Sequence, residues 1–312
     1  MTTDTAPKTT ELPETYAVVV PDAQRRPKRV GPRRRGAGSS VRSILKHAAL
    51  IATGLIMIYP LLWMVVSSLR PNDQIFSEPG LWLSEVDLSH YPTGWNALSQ
   101  PFSVYLMNST IVVLGSVLGN LVSCSMAAYA FARMRFSFRT LLFAIMLMTI
   151  MLPGHVTLVP QYVLFAQLGM VNTFWPLVGP NMLAVDSFFI FLMVQFIRGI
   201  PKELDEAARI DGAGHGRIFF QVILPLMTPA LATTAIFTFI ASWNQFFSAL
   251  IYLTDTDMMT VPVALRLFVD SQGESNWGSM FAMSIVSLIP VFLVFLFGQR
   301  FLVKGIATTG IK

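Results

Sequence analysis

Few residues in this chain have types and spacing that could do chemistry, and most of them interrupt apolar runs. Asp186 sits inside FWPLVGPNMLAVDSFFIFLMVQFI, with Asn181 and Gln195 flanking it at wider spacing. An ionised Asp at the centre of a membrane helix costs about 2.5–3.5 kcal/mol, so such a group usually faces a bundle interior or a watery cavity and marks a function. Three readings are open to Asp186: a proton relay, a neutral or hydrogen-bonded group on a solute pathway, or a residue nearer the membrane interface than the middle of its run. A second candidate is the quartet Ser242, Trp243, Asn244 and Gln245, set between apolar turns. An aromatic face beside amide donors and acceptors suits a solute with C–H faces and hydroxyl edges, as a sugar has. The same quartet serves equally well as interhelical hydrogen bonding around a packed Trp.

Other chemistries find little support. His47, His90, His155 and His215 show no metal-ligand spacing. Cys124 is the single cysteine, lies in an apolar run, and reads as a packing thiol. A membrane-embedded enzyme would cluster His, Asp, Glu or Ser at one membrane face, and no such cluster stands out. The chain contains no Gly-x4-Gly-Lys-Ser/Thr run, so no nucleotide-binding loop or other cofactor site is expected within it. The net charge of +5 does not point to nucleic acid, because ten of the 22 Lys and Arg residues fall in the first 46 positions.

One charged stretch is different in kind. Residues 201–225, PKELDEAARIDGAGHGRIFFQVILP, lie between long apolar runs. Pro201 suits a first helical position, and Glu203, Asp205 and Glu206 crowd the first turn, where the helix dipole favours negative charge. Leu204, Ala207 and Ala208 are spaced to share a low-profile face that another protein can approach closely. Gly212, Gly214 and Gly216 are expected to end this helix. A second short run follows, with Ile218, Phe219, Val222 and Ile223 on an apolar face and Pro225 as its stop. By physics alone the stretch is either an ordinary loop helix between spans or a handle that receives force from another subunit.

The elements that must position these residues follow from composition. The chain is 54% hydrophobic and 12% charged, against about 25% charged for a soluble domain, so a membrane protein is expected. About 20 apolar residues cross a bilayer core, and six runs qualify, near 46–68, 106–131, 141–165, 174–198, 228–253 and 279–303. Each should be mostly helical, since unpaired backbone cannot face lipid. Pro153 and Pro160 in the third run, and Pro176 and Pro180 in the fourth, should kink their helices. Gly115 and Gly119, with Ser116, Ser123, Ala127 and Ala128, let the second run approach its neighbours closely and place it centrally.

Six spans put both termini on one side. The loops of that side carry Arg133, Arg135, Arg139, Arg198, Lys202, Arg209, Arg217, Arg300, Lys304 and Lys312; the opposite loops carry Arg70 and Arg266. This asymmetry places both termini and the 201–225 loop in the cytoplasm. Residues 1–42 read as a disordered basic tail that either fixes topology or meets anionic membrane lipid. No apolar stretch occurs before residue 45, so a cleavable signal peptide is not expected. The outer segments 69–105 and 254–278 are long and lack helical pattern; the first, with Trp82, Tyr91 and Trp95, either docks an external protein or packs over the bundle mouth.

Glu206-Ala207-Ala208, then Gly212, then Val222-x-Leu224-Pro225 nine residues on, resembles the EAA loop of ABC importer permeases. SLRPNDQIFSEPGLWL, PFSVYLMNST, MLPGHVTLVPQYVLFAQLGMVNTFWPL, SWNQFFSALIYL and QRFLVKGIATTGIK are similar to the six-helix permeases of carbohydrate-uptake ABC importers, of the maltose permease type, over residues 45–312. The resemblance implies an all-α membrane protein: six transmembrane helices in a type I ABC importer permease bundle, over residues 43–312, in a bacterial cytoplasmic membrane. It implies that Glu206, Ala207, Ala208, Asp211 and Gly212 form a coupling helix docked on a cytoplasmic ATPase dimer, which binds the ATP. It further implies a second homologous permease subunit, an extracytoplasmic solute-binding protein, and Trp243 and Asn244 near a sugar pathway. The alternatives are a secondary, ion-coupled transporter using Asp186, and a permease of the same superfamily for polyamines or glycerol-phosphate-type solutes.

Overall fold

Proline and glycine punctuation, more than hydropathy, decides where the helices of the computed structural model begin and end. The structure describes residues 37–78, 80–270 and 276–309. The expected basic tail therefore lies outside the described residues up to residue 36, and from Ala37 the backbone is already helical, six residues before the expected start of the membrane domain at residue 43.

In chain order the helices are α1 Ala37–Ser67, α2 His90–Trp95, α3 Phe102–Arg133, α4 Arg139–Thr149, α5 Gly154–Gln167, α6 Trp175–Val178, α7 Ser187–Gly199, α8 Glu203–Ile210, α9 His215–Ile218, α10 Leu224–Leu226, α11 Thr228–Trp243, α12 Phe247–Tyr252, α13 Val261–Asp270 and α14 Trp277–Thr309. A 3-10 turn, Gly179–Leu183, follows α6, and a π turn, Phe219–Ile223, joins α9 to α10. No strand occurs among the described residues.

Among the described residues four stretches are long and apolar enough to cross a membrane: 43–67, 102–133, 277–301, and 175–199, the last interrupted between α6 and α7. A fifth span exists only as a pair, His215–Leu226 and Thr228–Trp243, bent by 76°. Pro225 and Pro229 bracket the bend; each lacks the N–H that would bond one turn back. Pro225 does not stop the α9–α10 run, as its position suggested; the run continues through it to Leu226. The third expected span, 141–165, is divided at residues 150–153 into α4 and α5, with Pro153 extended (ψ 126°) as the cap of α5. Pro160 is carried inside α5 without ending it. The outer segments are also more regular than their composition implied, since they contain α2 and α13.

Contacts divide the chain into two units, Met1–Ile56 and Met57–Lys312, with the boundary inside α1. In the first unit, Ile44, Leu50, Ile51 and Leu55 are exposed, an apolar surface suited to lipid. In the second, α3 is the central element, packed on α11, α7, α6 and the 3-10 turn, while α11 also packs on α14. The reason is the small-residue stripe: a Cβ on Gly115 would meet Val178 Cγ1 at 2.8 Å, and one on Gly119 would meet Met182 Cγ at 2.8 Å. Three apolar clusters fill the unit. One joins α3 to α7 and the run before the bend (Cys124, Met193, Ile197, Ile223). A second joins the start of α3 to α11, α13 and α14 (Phe102, Trp243, Phe268, Met283), and a third lies around Leu177 and Tyr252.

Candidate functional site

Helix α8 buries one of its charged residues and exposes most of its apolar ones. Asp205, in the first turn, is the only member buried, while Leu204, Ala207 and Ile210 are exposed, Ile210 at 87%. Buried charge is tolerated only when paired, and Asp205 Oδ2 lies 3.0 Å from Nε of Arg133, the last residue of α3. Arg133 Nη2 also donates to the Ile200 carbonyl at 2.6 Å, so one guanidinium joins α3 to the chain on either side of Lys202.

Of the sequence-identified residues, Glu206, Ala207, Asp211 and Gly212 are exposed along this helix and its end. Ala208 is half-buried and packs on the α3–α7 cluster, so the two alanines do not share one face as expected. Ala207 instead continues the outward row Leu204, Ala207, Ile210, three residues apart. Pro201 precedes the helix, which starts at Glu203, rather than opening it. Of the three glycines expected to end it, one does so. Gly212 has φ +79°, and the N–H groups of Gly212 and Ala213 bond the carbonyls of Arg209 and Ala208. Left-handed backbone of this kind favours glycine. Gly214 caps α9 in extended conformation, and Gly216 lies inside α9.

The run after α8 is anchored by the same end of α3. Tyr129, buried, lies 3.2 Å through its hydroxyl from His215 Nδ1, and its ring packs on Phe219. Ile218, Phe219 and Ile223 are buried and Val222 half-buried, so the expected apolar face is present, wrapped over a π turn. The end of α3 thus contacts both α8 and the segment that leads into the 76° bend and α11.

A second candidate region is the break in the fourth span. Asp186 is not mid-helix: it is the N-cap of α7, and its Oδ1 accepts from the Phe189 N–H at 3.4 Å. The 3-10 turn and Ala184, at φ 54°, supply the discontinuity. An open cleft of about 360 Å³ lies here, lined by Thr149, Asn181, Asp186 and Ser187 among others. Thr149 Oγ1 and Ser187 Oγ are 2.7 Å apart, and Ser123 donates to the Asn181 carbonyl at 2.8 Å. Asn181 thus joins Asp186 in the cleft, whereas Gln195 is exposed elsewhere on α7.

The Ser242–Gln245 quartet resolves differently. Trp243 is 4% exposed and stacks on Phe239, with centroids 5.7 Å apart and planes 9° from parallel. Its ring belongs to the core. Asn244 is exposed at the end of α11, with its amide donating to the Ile240 carbonyl at 2.8 Å.

Sequence reasoning missed three residues that position these regions. Arg133 counted only as one loop charge among ten, and nothing local marks its partner. Asn120, fully buried on α3, donates to Thr238 Oγ1 at 2.9 Å and accepts from Cys124, tying α3 to α11; an amide inside an apolar run was the available signal. On the other side, Arg70 is fully buried and its guanidinium donates to the carbonyls of Glu78, Gly80 and Trp82, folding the first outer segment around itself. Among the described residues no group of His, Cys, Asp and Glu is arranged to hold a metal.

Residues 98–308 match the family model described as the binding-protein-dependent transport system inner membrane component. The trehalose/maltose transport system permease protein MalG of Thermococcus litoralis is 35% identical over 277 residues, covering 86% of this chain and 98% of that protein. The sn-glycerol-3-phosphate transport system permease protein UgpE of Yersinia enterocolitica is 33% identical over 271 residues, covering 84% and 95%. The crystal structure of a bacterial ABC transporter involved in import of the acidic polysaccharide alginate contains a chain with the same fold. It superposes with a TM-score of 0.76 at 23% identity, over 85% of this chain and 97% of that one.

Proposed function

Because the chain belongs to the binding-protein-dependent transport system inner membrane components, we propose that it passes a sugar or oligosaccharide across the membrane as one permease subunit of an ABC importer. It is a transport subunit and not an enzyme. The observation that carries the mechanism is the anchoring of α8, whose buried Asp205 is paired with Arg133 of α3 while the row Leu204, Ala207 and Ile210 stands exposed.

That row, with Glu206, Asp211 and the Gly212 turn, is the surface for a cytoplasmic ATPase dimer that binds the ATP. Displacement of α8 reaches α3 through Arg133 and reaches α11 through the π turn and the bend. The bundle then rocks between inward- and outward-facing states. A second homologous permease completes the pathway, and an extracytoplasmic binding protein delivers the solute. The basic asymmetry of the loops supports placing both termini and α8 in the cytoplasm.

The cleft at the Asp186 break is the proposed solute contact, with Asn244 at the end of α11 as a further polar group; Trp243 fixes that helix end from behind. Amide, hydroxyl and carboxylate groups in the cleft suit a polyhydroxyl solute. A glycerol-phosphate-type solute is opposed by the same geometry, since the lining contains a carboxylate and no cation. Asp186 as a helix cap has a structural task that an ion-coupled transporter would not require of it.

The test is ATP-dependent uptake in vesicles containing this chain, its partner permease, ATPase and binding protein. Accumulation of labelled maltose or another oligosaccharide, lost when the ATPase is omitted, is the expected result. Uphill transport by this chain alone, or strict preference for glycerol-3-phosphate, would overturn the reading.

A further inference from the structure

Behind α8, between the end of α3 and the start of α4, lies a cavity of about 500 Å³ to which the proposed transport cycle assigns no ligand. Its lining carries five cations, Arg133, Arg135, Arg139, Lys202 and Arg209, against two carboxylates, Asp205 and Glu206. Arg133 and Asp205 neutralise each other. Arg139 donates to the Met134 carbonyl at 3.2 Å, which leaves its charge in place. No hydrogen bond or ion pair with another described residue engages the side chains of Arg135, Lys202 or Arg209. Four cations thus face one carboxylate, a net positive charge that attracts an anion.

The surroundings indicate the source of that anion. Phe136 and Phe138 lie between Arg135 and Arg139, and Phe138, held at φ 62°, is 75% exposed. Leu141, Leu142, Ile145 and Met148 then form an exposed apolar face along α4, which rises directly from the cavity. Basic residues at the end of an apolar helix mark the membrane–water boundary, and basic pockets between membrane helices hold anionic headgroups. A free phosphate or an acidic protein segment would use the cations alone, whereas a phospholipid would use the cations and the apolar face together.

We infer that this cavity is a binding site for the headgroup of an anionic phospholipid, whose acyl chains lie along the exposed face of α4. The site rests on reading the chain as a membrane permease. The bound phosphodiester stands beside the Arg133–Asp205 pair, so lipid charge acts on the joint that holds α8.

The full chain, purified in detergent with its partner subunits, is exposed to mixed micelles of dioleoylphosphatidylglycerol and dioleoylphosphatidylcholine, and retained lipid is counted by native mass spectrometry. The expected result is retention of phosphatidylglycerol with about a tenfold preference, lost in the R135Q/R139Q/K202Q variant. Equal retention of the two lipids, or an unchanged preference in the variant, overturns the inference. Displacement by inorganic phosphate as readily as by lysophosphatidylglycerol would reassign the cavity to free anions. A photoactivatable phosphatidylglycerol on the unmodified complex guards against a misfolded variant: labelling within 133–149 or 202–209 supports the site, and labelling confined elsewhere or to the ATPase refutes it. Uptake is not read, so failure here leaves the transport reading standing.

Discussion

Arg133 Nε and Asp205 Oδ2 stand 3.0 Å apart with both side chains almost wholly enclosed, and this pair joins the last residue of α3 to the first turn of α8. The second carboxylate oxygen, Asp205 Oδ1, is buried without a hydrogen-bond partner. A buried pair of this kind is weak evidence for net stability, because desolvation offsets much of the attraction. Its value is positional: it holds α8 at one angle to the helix around which the bundle is built.

Loss of one partner leaves the other as an uncompensated buried charge. Arg133→Ala and Asp205→Ala should each destabilise the assembled protein by about 3–5 kcal/mol. The Arg133→Ala/Asp205→Ala double variant should recover part of that loss, by about 1–3 kcal/mol of coupling. Detergent-solution unfolding curves measure all three; additive losses would show that the pair does not interact.

Gly212 ends α8 with φ +79°, and a Cβ added there would meet nothing within 4 Å, so conformation rather than space restricts the position. Gly212→Ala should cost about 1–2 kcal/mol, Gly212→Asn less, and Gly212→Pro should uncouple uptake from ATP hydrolysis by distorting the turn. Wild-type uptake with normal ATPase stimulation in Gly212→Pro would refute the coupling role.

Asp186 caps α7 through an acceptor oxygen that Asn also possesses. Asp186→Asn should therefore retain most sugar uptake, whereas Asp186→Leu should lose it with the cap. If Asp186→Asn abolishes uptake and introduces a new pH dependence, an ion-coupled role is indicated instead.

A Cβ on Gly278 would meet the His90 ring at 2.4 Å, and that ring is held by a 2.7 Å contact from Nε2 to the Arg70 carbonyl. Gly278→Ala should cost about 1–3 kcal/mol through overpacking and loosen the segment folded around Arg70. Faster proteolysis within residues 69–88 is the readout; an unchanged rate would show that His90 moves aside freely.

The Ser89 side chain and backbone N–H hold the Asp87 carboxyl below its ordinary value of 3.8, with the backbone N–H 2.8 Å from Oδ1. A depressed folded-state value means the stabilisation is present above about pH 3.8 and is lost as pH falls through the lower value. Proteolysis of this segment by an acid-active protease should accelerate only below that point, and Asp87→Asn should remove the step.

Much of this was legible in the chain. The run of glycines and small residues in the second span correctly marked α3 as central, because close helix approach needs the absence of a side chain, and that is a property of residue type. The left-handed turn at Gly212 was legible for the same reason. The division of α4 from α5 was half-legible: Pro153 and Pro160 offered equal signals, and only Pro153 became a break. The burial of Trp243 was not legible, since a Trp beside Asn suits a solute and a core alike until Phe239 is seen stacked upon it.

Composition, the spacing of apolar runs and the acidic-to-glycine pattern of residues 201–225 determined by themselves that this is a helical membrane protein with a charged helix between two of its apolar runs. These are properties of a segment and its solvent, and each segment carries its own. Which way that helix faces, where Asp186 sits in its broken span, and why four cations gather behind α8 were decided by contacts between α3, α4, α7 and α8. Such contacts depend on geometry between distant segments, and no local pattern of side chains encodes it.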